Sequence, residues 1–159
     1  MEQFDTRNFM ASLSCVYNGR KMPVGSSDTL FSPDNNWLVL DGSPVRAAKR
    51  PLRLWFEYTG RGHDRLHYHI DALEPFSGRV GLSSNRYLGI YAIATVTDYW
   101  KVEPLEPWAL HPGRALRCNL RDAFGHQVGI YLGAYLTTGA EPLTDFQLEI
   151  LEVGADDPG

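Results

Sequence analysis

The chain has 159 residues, 43% hydrophobic and 21% charged, with a formal net charge of −4. That is enough for one domain with a proper core, and the acidic balance excludes polyanion binding unless a local basic patch supplies it. No apolar run reaches the ~20 residues of a membrane span, and the first ten residues carry acids rather than an apolar leader, so the expected home is cytoplasmic, or secreted without a visible signal peptide.

Short alternating runs broken by Gly, Pro, Asn and Asp dominate the chain, which is the texture of an all-β protein. The first run, LSCVY, sets Leu13, Cys15 and Tyr17 on one face. Val24-Gly25 follows, then a long insertion, SSDTLFSPDNN, that leads into Trp37-Leu38. Asp34, Asn35 and Asn36 beside Trp37 combine carboxylate and amide groups with an aromatic ring, the mix that reads sugar hydroxyls while the ring stacks on a sugar face. The competing reading is turn chemistry, with Trp37 aligned to Tyr87 and Tyr135 and facing the core. The basic stretch after it, with Arg46, Lys49, Arg50 and Arg53, reads as a solvated hairpin, so no nucleic-acid partner is expected. The run LWFEY, with Leu54, Phe56 and Glu57, closes a first unit.

A second unit opens on Leu66, Tyr68 and Ile70, passes Val80-Gly81 and Tyr87-Leu88, and ends on Trp100, Val102 and Glu103. A third opens on Leu116, Cys118 and Leu120, passes Val128-Gly129 and Tyr135-Leu136, and ends on Phe146, Leu148 and Glu149. The three glutamates recur at 46-residue intervals, and Val to Tyr is seven residues in both later units. Both cysteines then fall on inward faces at equivalent places, as buried free thiols rather than a bridge. Four short strands in each of three units, about 9–58, 62–104 and 112–151, are too few for an ordinary propeller. They suit a barrel capped by three hairpins, the β-trefoil with pseudo-three-fold symmetry, as one domain over 1–154 with a frayed acidic tail at 155–159.

These residues carry a resemblance. NRYLGIYAIATVTDYWKVE resembles a fascin-type β-trefoil repeat, and WLVLDGSPVRAAKRPLRLWFEY is similar to a hairpin of fibroblast-growth-factor-like trefoils. The resemblance implies the fold and leaves the function open, because trefoils host lectins, growth factors, actin bundlers and protease inhibitors. The Gln-x-Trp of ricin-type sugar binders is missing, and three lysines in an acidic chain do not make a heparin site.

HYHIDALEPFSGRVG resembles the first cupin motif in His67, His69, Glu74 and Gly81, and the two imidazoles and the carboxylate are a ligand set for a divalent metal. The second cupin motif is missing, and alternation sends Leu66, Tyr68 and Ile70 inward and both histidines outward. No nucleophile elbow, phosphate loop or Cys-x-x-Cys occurs. The linker EPLEPWALHPGR holds Trp108, unmatched in the other units, and His111; the Trp is either a recognition anchor on a stiff loop or a plug for the barrel's end. The expected function is therefore a non-enzymatic binding module without a cofactor, its ligand a carbohydrate bound by Asp34, Asn35, Asn36, Trp37, Trp108 and His111. The alternatives are a protein-binding trefoil, cytoskeletal or inhibitory, and a cupin-like metal-dependent enzyme using His67, His69 and Glu74.

Overall fold

Alternation of apolar and polar residues dictates strands, and a computed structural model of the chain shows thirteen among the residues it describes, all paired antiparallel. It describes residues 4–17, 19–26, 36–40, 50–63, 65–73, 78–91 and 96–154, among which there is no helix and so none able to cross a membrane. The strands are β1 (Phe9–Tyr17), β2 (Arg20–Ser26), β3 (Asn36–Leu40), β4 (Arg50–Pro51), β5 (Leu54–Arg61), β6 (Leu66–Ala72) and β7 (Gly78–Leu82). They continue as β8 (Leu88–Tyr91), β9 (Trp100–Pro104), β10 (Ala115–Arg121), β11 (Val128–Tyr131), β12 (Tyr135–Thr138) and β13 (Asp145–Val153).

Six of these strands pair in a closed circuit. β1 joins β5, β5 joins β6, β6 joins β9, β9 joins β10, β10 joins β13, and β13 returns to β1. A circuit without an edge satisfies both sides of every strand and leaves nothing for a foreign strand to pair with. Its inner face is apolar: Phe9, Leu54, Phe56, Leu66, Tyr68, Trp100, Val102, Leu116, Phe146 and Leu148 all belong to one buried core. Phe9 stacks on Phe56 with ring centroids 4.6 Å apart and meets Tyr68 edge-on at 5.4 Å. Burying a Leu or Phe side chain is worth about 1.5–3 kcal/mol, so this face dominates the stability.

The register corrects one expectation. Leu66 lies opposite Val102 and Leu116 opposite Leu148, but it is Phe9, not Leu13, that lies opposite Phe56. Leu13 instead faces Leu148 across to the preceding unit, as Ile70 faces Phe56 and Leu120 faces Val102. By pairing, the counterparts on β1 of the run that begins at Leu66 or Leu116 are therefore Phe9, Ala11 and Leu13, four residues earlier than the Leu-x-Cys pattern suggests. β1 offers apolar residues at five alternate positions, so more than one frame fits the same face. Cys15 and Cys118 are both buried and free, at places that are not equivalent.

The other strands form hairpins. β2 pairs β3, β7 pairs β8 and β11 pairs β12, each with its Val-Gly in the same register: Gly25 opposite Val39, Gly81 opposite Gly89, Gly129 opposite Thr137. A side chain at Gly129 would run into the carbonyls of Ala140 and Pro142, and one at Gly81 would press on Val96. The repeated glycine is a site of close approach. β4, beyond the twelve strands expected, pairs Pro51 with Gly25.

Candidate functional site

In a strand, neighbouring side chains leave on opposite sides. Leu38, Leu88 and Leu136 are buried, so the aromatic residue before each must face outward. Trp37, Tyr87 and Tyr135 are accordingly half-buried rather than core-facing as their alignment suggests. The hairpins meet through these residues in cyclic order: Trp37 pairs with Gly89, Tyr87 with Thr137, and Tyr135 with Val39. Their rings consequently gather on the outer surface of the cap. Tyr87 is central, with Trp37 edge-on at 5.6 Å, Tyr135 at 5.3 Å and Tyr131 at 5.9 Å.

The cluster is held from below. Ser83 accepts the Tyr87 N–H at its Oγ (3.1 Å) and donates its own N–H to the Tyr87 carbonyl (2.9 Å). Burial, with Tyr131 and Tyr135 beside it, pushes the Tyr87 hydroxyl above its ordinary range, so it stays a neutral donor. On the far side of Tyr131 the chain turns through Leu132 and Gly133, with φ of 55° and 66°, closed by the Ala134 N–H on the Tyr131 carbonyl. Leu132 is 59% exposed there. A bulky residue with positive φ is an outlier, since asparagine or glycine fits that conformation far better.

The remaining expected site residues scatter. Asp34 and Asn35 lie outside the described residues; Asn36 is placed by its backbone, opposite Ile90. Trp108 is interior, 3% exposed and edge-on to Phe9 at 6.2 Å, which is the position of a plug and leaves no surface for a ligand. The N-terminal segment clamps it: the Asp5 N–H donates to the Trp108 carbonyl, and the Asp5 carboxylate accepts the Leu110 N–H and a short Arg7 contact of 2.7 Å. His111 is exposed in the following turn.

Comparison with protein-family models, with curated proteins and with solved structures returns no match for this chain. The site must therefore be judged on its own chemistry.

His67 and His69 sit half-buried on the outward face of β6, with the His67 ring stacked on Tyr99 at 4.2 Å and His69 opposite Glu57. Burial foremost, and then Lys101, lowers the His67 pKa; burial and then Arg79 lower that of His69, against the opposing pull of Glu57 and Asp71. Glu74 lies outside the described residues, among which no three His, Cys, Asp or Glu side chains are grouped to hold a metal. Neither thiol is a nucleophile in waiting: burial pushes Cys15 up to about 12 and Cys118 higher still. The sequence pattern pointed to Trp37 but missed the cluster around it. Its signal was the aromatic-Leu pair itself, because the Leu had to be the inward one.

Proposed function

We propose that the chain is a β-trefoil that works as a non-enzymatic binding module, with a carbohydrate as the ligand of its aromatic cap. For the fold, the support is the six-strand circuit, the three hairpins and their cyclic Trp37–Gly89, Tyr87–Thr137 and Tyr135–Val39 pairing. For the ligand, the single observation that carries the reading is the contiguous, half-exposed cluster of Trp37, Tyr87, Tyr131 and Tyr135. Aromatic faces stack on the C–H faces of sugars, and phenol hydroxyls reach sugar oxygens at the rim. Asp34, Asn35 and Asn36, next to Trp37 in the chain, supply carboxylate and amide groups of the kind that read hydroxyls.

One shallow platform gives weak binding, with Kd in the millimolar range, or ~4 kcal/mol. The test is a glycan panel followed by titration of Trp fluorescence. Tyr87→Ala and Trp37→Ala should each weaken binding about tenfold or more, as loss of a central aromatic does. Full affinity in both variants would remove the cap from consideration.

A second reading, a protein partner, is favoured by Leu132 alone, an exposed apolar side chain kept in a costly backbone conformation beside Tyr131. Leu132→Asn separates the two: a sugar site on the rings keeps its affinity, whereas a protein interface loses an anchor.

A further inference from the structure

Away from the cap, the segment Val96–Trp100 and the turn Asp122–Phe124 line a cleft of about 190 Å³ floored by Gly81 and Leu82. The turn is built rigidly. Asp122 accepts the N–H groups of Phe124 and His126 on one oxygen, both at 2.9 Å, and its other oxygen lies 3.1 Å from His126 Nδ1. Gly125, with φ +92°, donates back to the Asp122 carbonyl at 3.0 Å. This turn carries Phe124 at the cleft with 79% of its surface exposed, an apolar ring that the fold itself does not use.

Asp98 also lines the cleft. It is exposed and makes no hydrogen bond or ion pair with any described residue. Among the described residues no Lys or Arg lines the cleft. Two arginines are occupied elsewhere: Arg121 bonds Glu103 at 3.3 Å and the Gly125 carbonyl at 3.1 Å, and Arg65 lies 3.7 Å from Glu103. The Trp100 indole N–H is spent on the Val80 carbonyl at 3.0 Å. Acceptors and negative charge thus outnumber donors, beside an exposed aromatic ring.

We propose that this cleft binds an alkylammonium or guanidinium group, with Asp98 as its ion-pair partner and Phe124 as the ring beneath the cation. A cation is the ligand that satisfies both features, since it pairs with a carboxylate and is drawn to the negative face of an aromatic ring. The volume is below the ~300 Å³ at which small-molecule pockets usually begin, which fits one amine chain and excludes anything much larger. The chemistry has two sources, a free small amine or the Lys or Arg side chain of a polypeptide. The site is independent of the cap and stands if the sugar reading falls.

The experiment is an amide NMR titration of the full chain with n-butylammonium chloride, with 1-butanol as the uncharged control. Saturable shifts confined to Gly81, Thr97, Tyr99 and Phe124 are expected for the amine and not for the alcohol. Asp98→Asn and Phe124→Ala should each weaken binding about fivefold, the size of an exposed ion pair or cation–ring contact; both positions are exposed, and the unchanged remainder of the spectrum verifies the fold. Shifts that stay linear to ~50 mM, that 1-butanol reproduces, or that survive Asp98→Asn at full affinity would overturn the proposal. An acetylated, amidated Gly-Lys-Gly tripeptide that binds at least about tenfold tighter than butylammonium assigns the site to a polypeptide side chain. Equal affinity assigns it to a free amine.

Discussion

Trp100 shows how much one side chain can hold in this protein. Its indole fills the core opposite Tyr68, and its N–H is bonded to Val80, so it ties the ring of strands to the second hairpin. Trp100→Ala should cost on the order of 3–5 kcal/mol in chemical denaturation. A loss below ~1 kcal/mol would mean that the ring contributes little to the packing. His67 and His69 act through their charge state instead. Both have folded pKa values below the ordinary 6.5, so the fold holds them neutral while the unfolded chain takes up protons first. Their contribution is present above pH 6.5 and is lost as pH falls from there through the folded values. The urea midpoint should therefore drop between about pH 7.5 and pH 5, and the drop should shrink in the His67→Gln, His69→Gln double variant. An identical drop in that variant would assign the effect to other groups.

At the scale of elements, the turn between β11 and β12 offers the clearest substitution. Leu132→Asn places at a positive φ the residue that best tolerates it, and Asn-Gly is the preferred pair for such a turn. A left-handed conformation costs an ordinary residue about 1–2 kcal/mol, so the variant should be more stable by ~1 kcal/mol, read as a higher thermal midpoint; a less stable variant would show that Leu132 packs usefully. What the sequence made legible at this scale follows from strand geometry. Period-two alternation gave strand identity, because it depends only on local pattern, and the evenly spaced Glu57, Glu103 and Glu149 fall on β5, β9 and β13. The frame of β1 was not legible, since five alternate apolar residues fit the inner face in more than one register. Nor was the burial of Trp108, which is decided by Asp5 and Phe9 from the opposite end of the chain. The cleft holding Asp98 and Phe124 was hidden for the same reason: its walls come from Gly81–Leu82, Val96–Trp100 and Asp122–Phe124, separate stretches that carry no shared motif.

For the molecule as a whole, the decisive contact is between its first and last strands. β1 and β13 pair from Phe9–Val153 to Val16–Asp145, and the Gly154 N–H bonds the Asn8 carbonyl at 2.7 Å. A circular permutant that links the two ends through a short Gly-Ser segment and opens between Pro112 and Gly113, in an exposed turn, should keep its near-ultraviolet circular dichroism and cooperative melting. Loss of both would show that the order of synthesis matters more than the closed pairing. The pairing also governs birth on the ribosome. β1 emerges before the other twelve described strands, yet one of its neighbours, β13, is made only after all of them, so in the meantime its hydrogen-bonding edge is open and its apolar face lacks a roof. A chain halted between β10 and β13 is thus an unclosed vessel, with sticky rims at β1 and β10. Premature termination should send this protein to aggregation or proteolysis, because no shorter version of the ring can close.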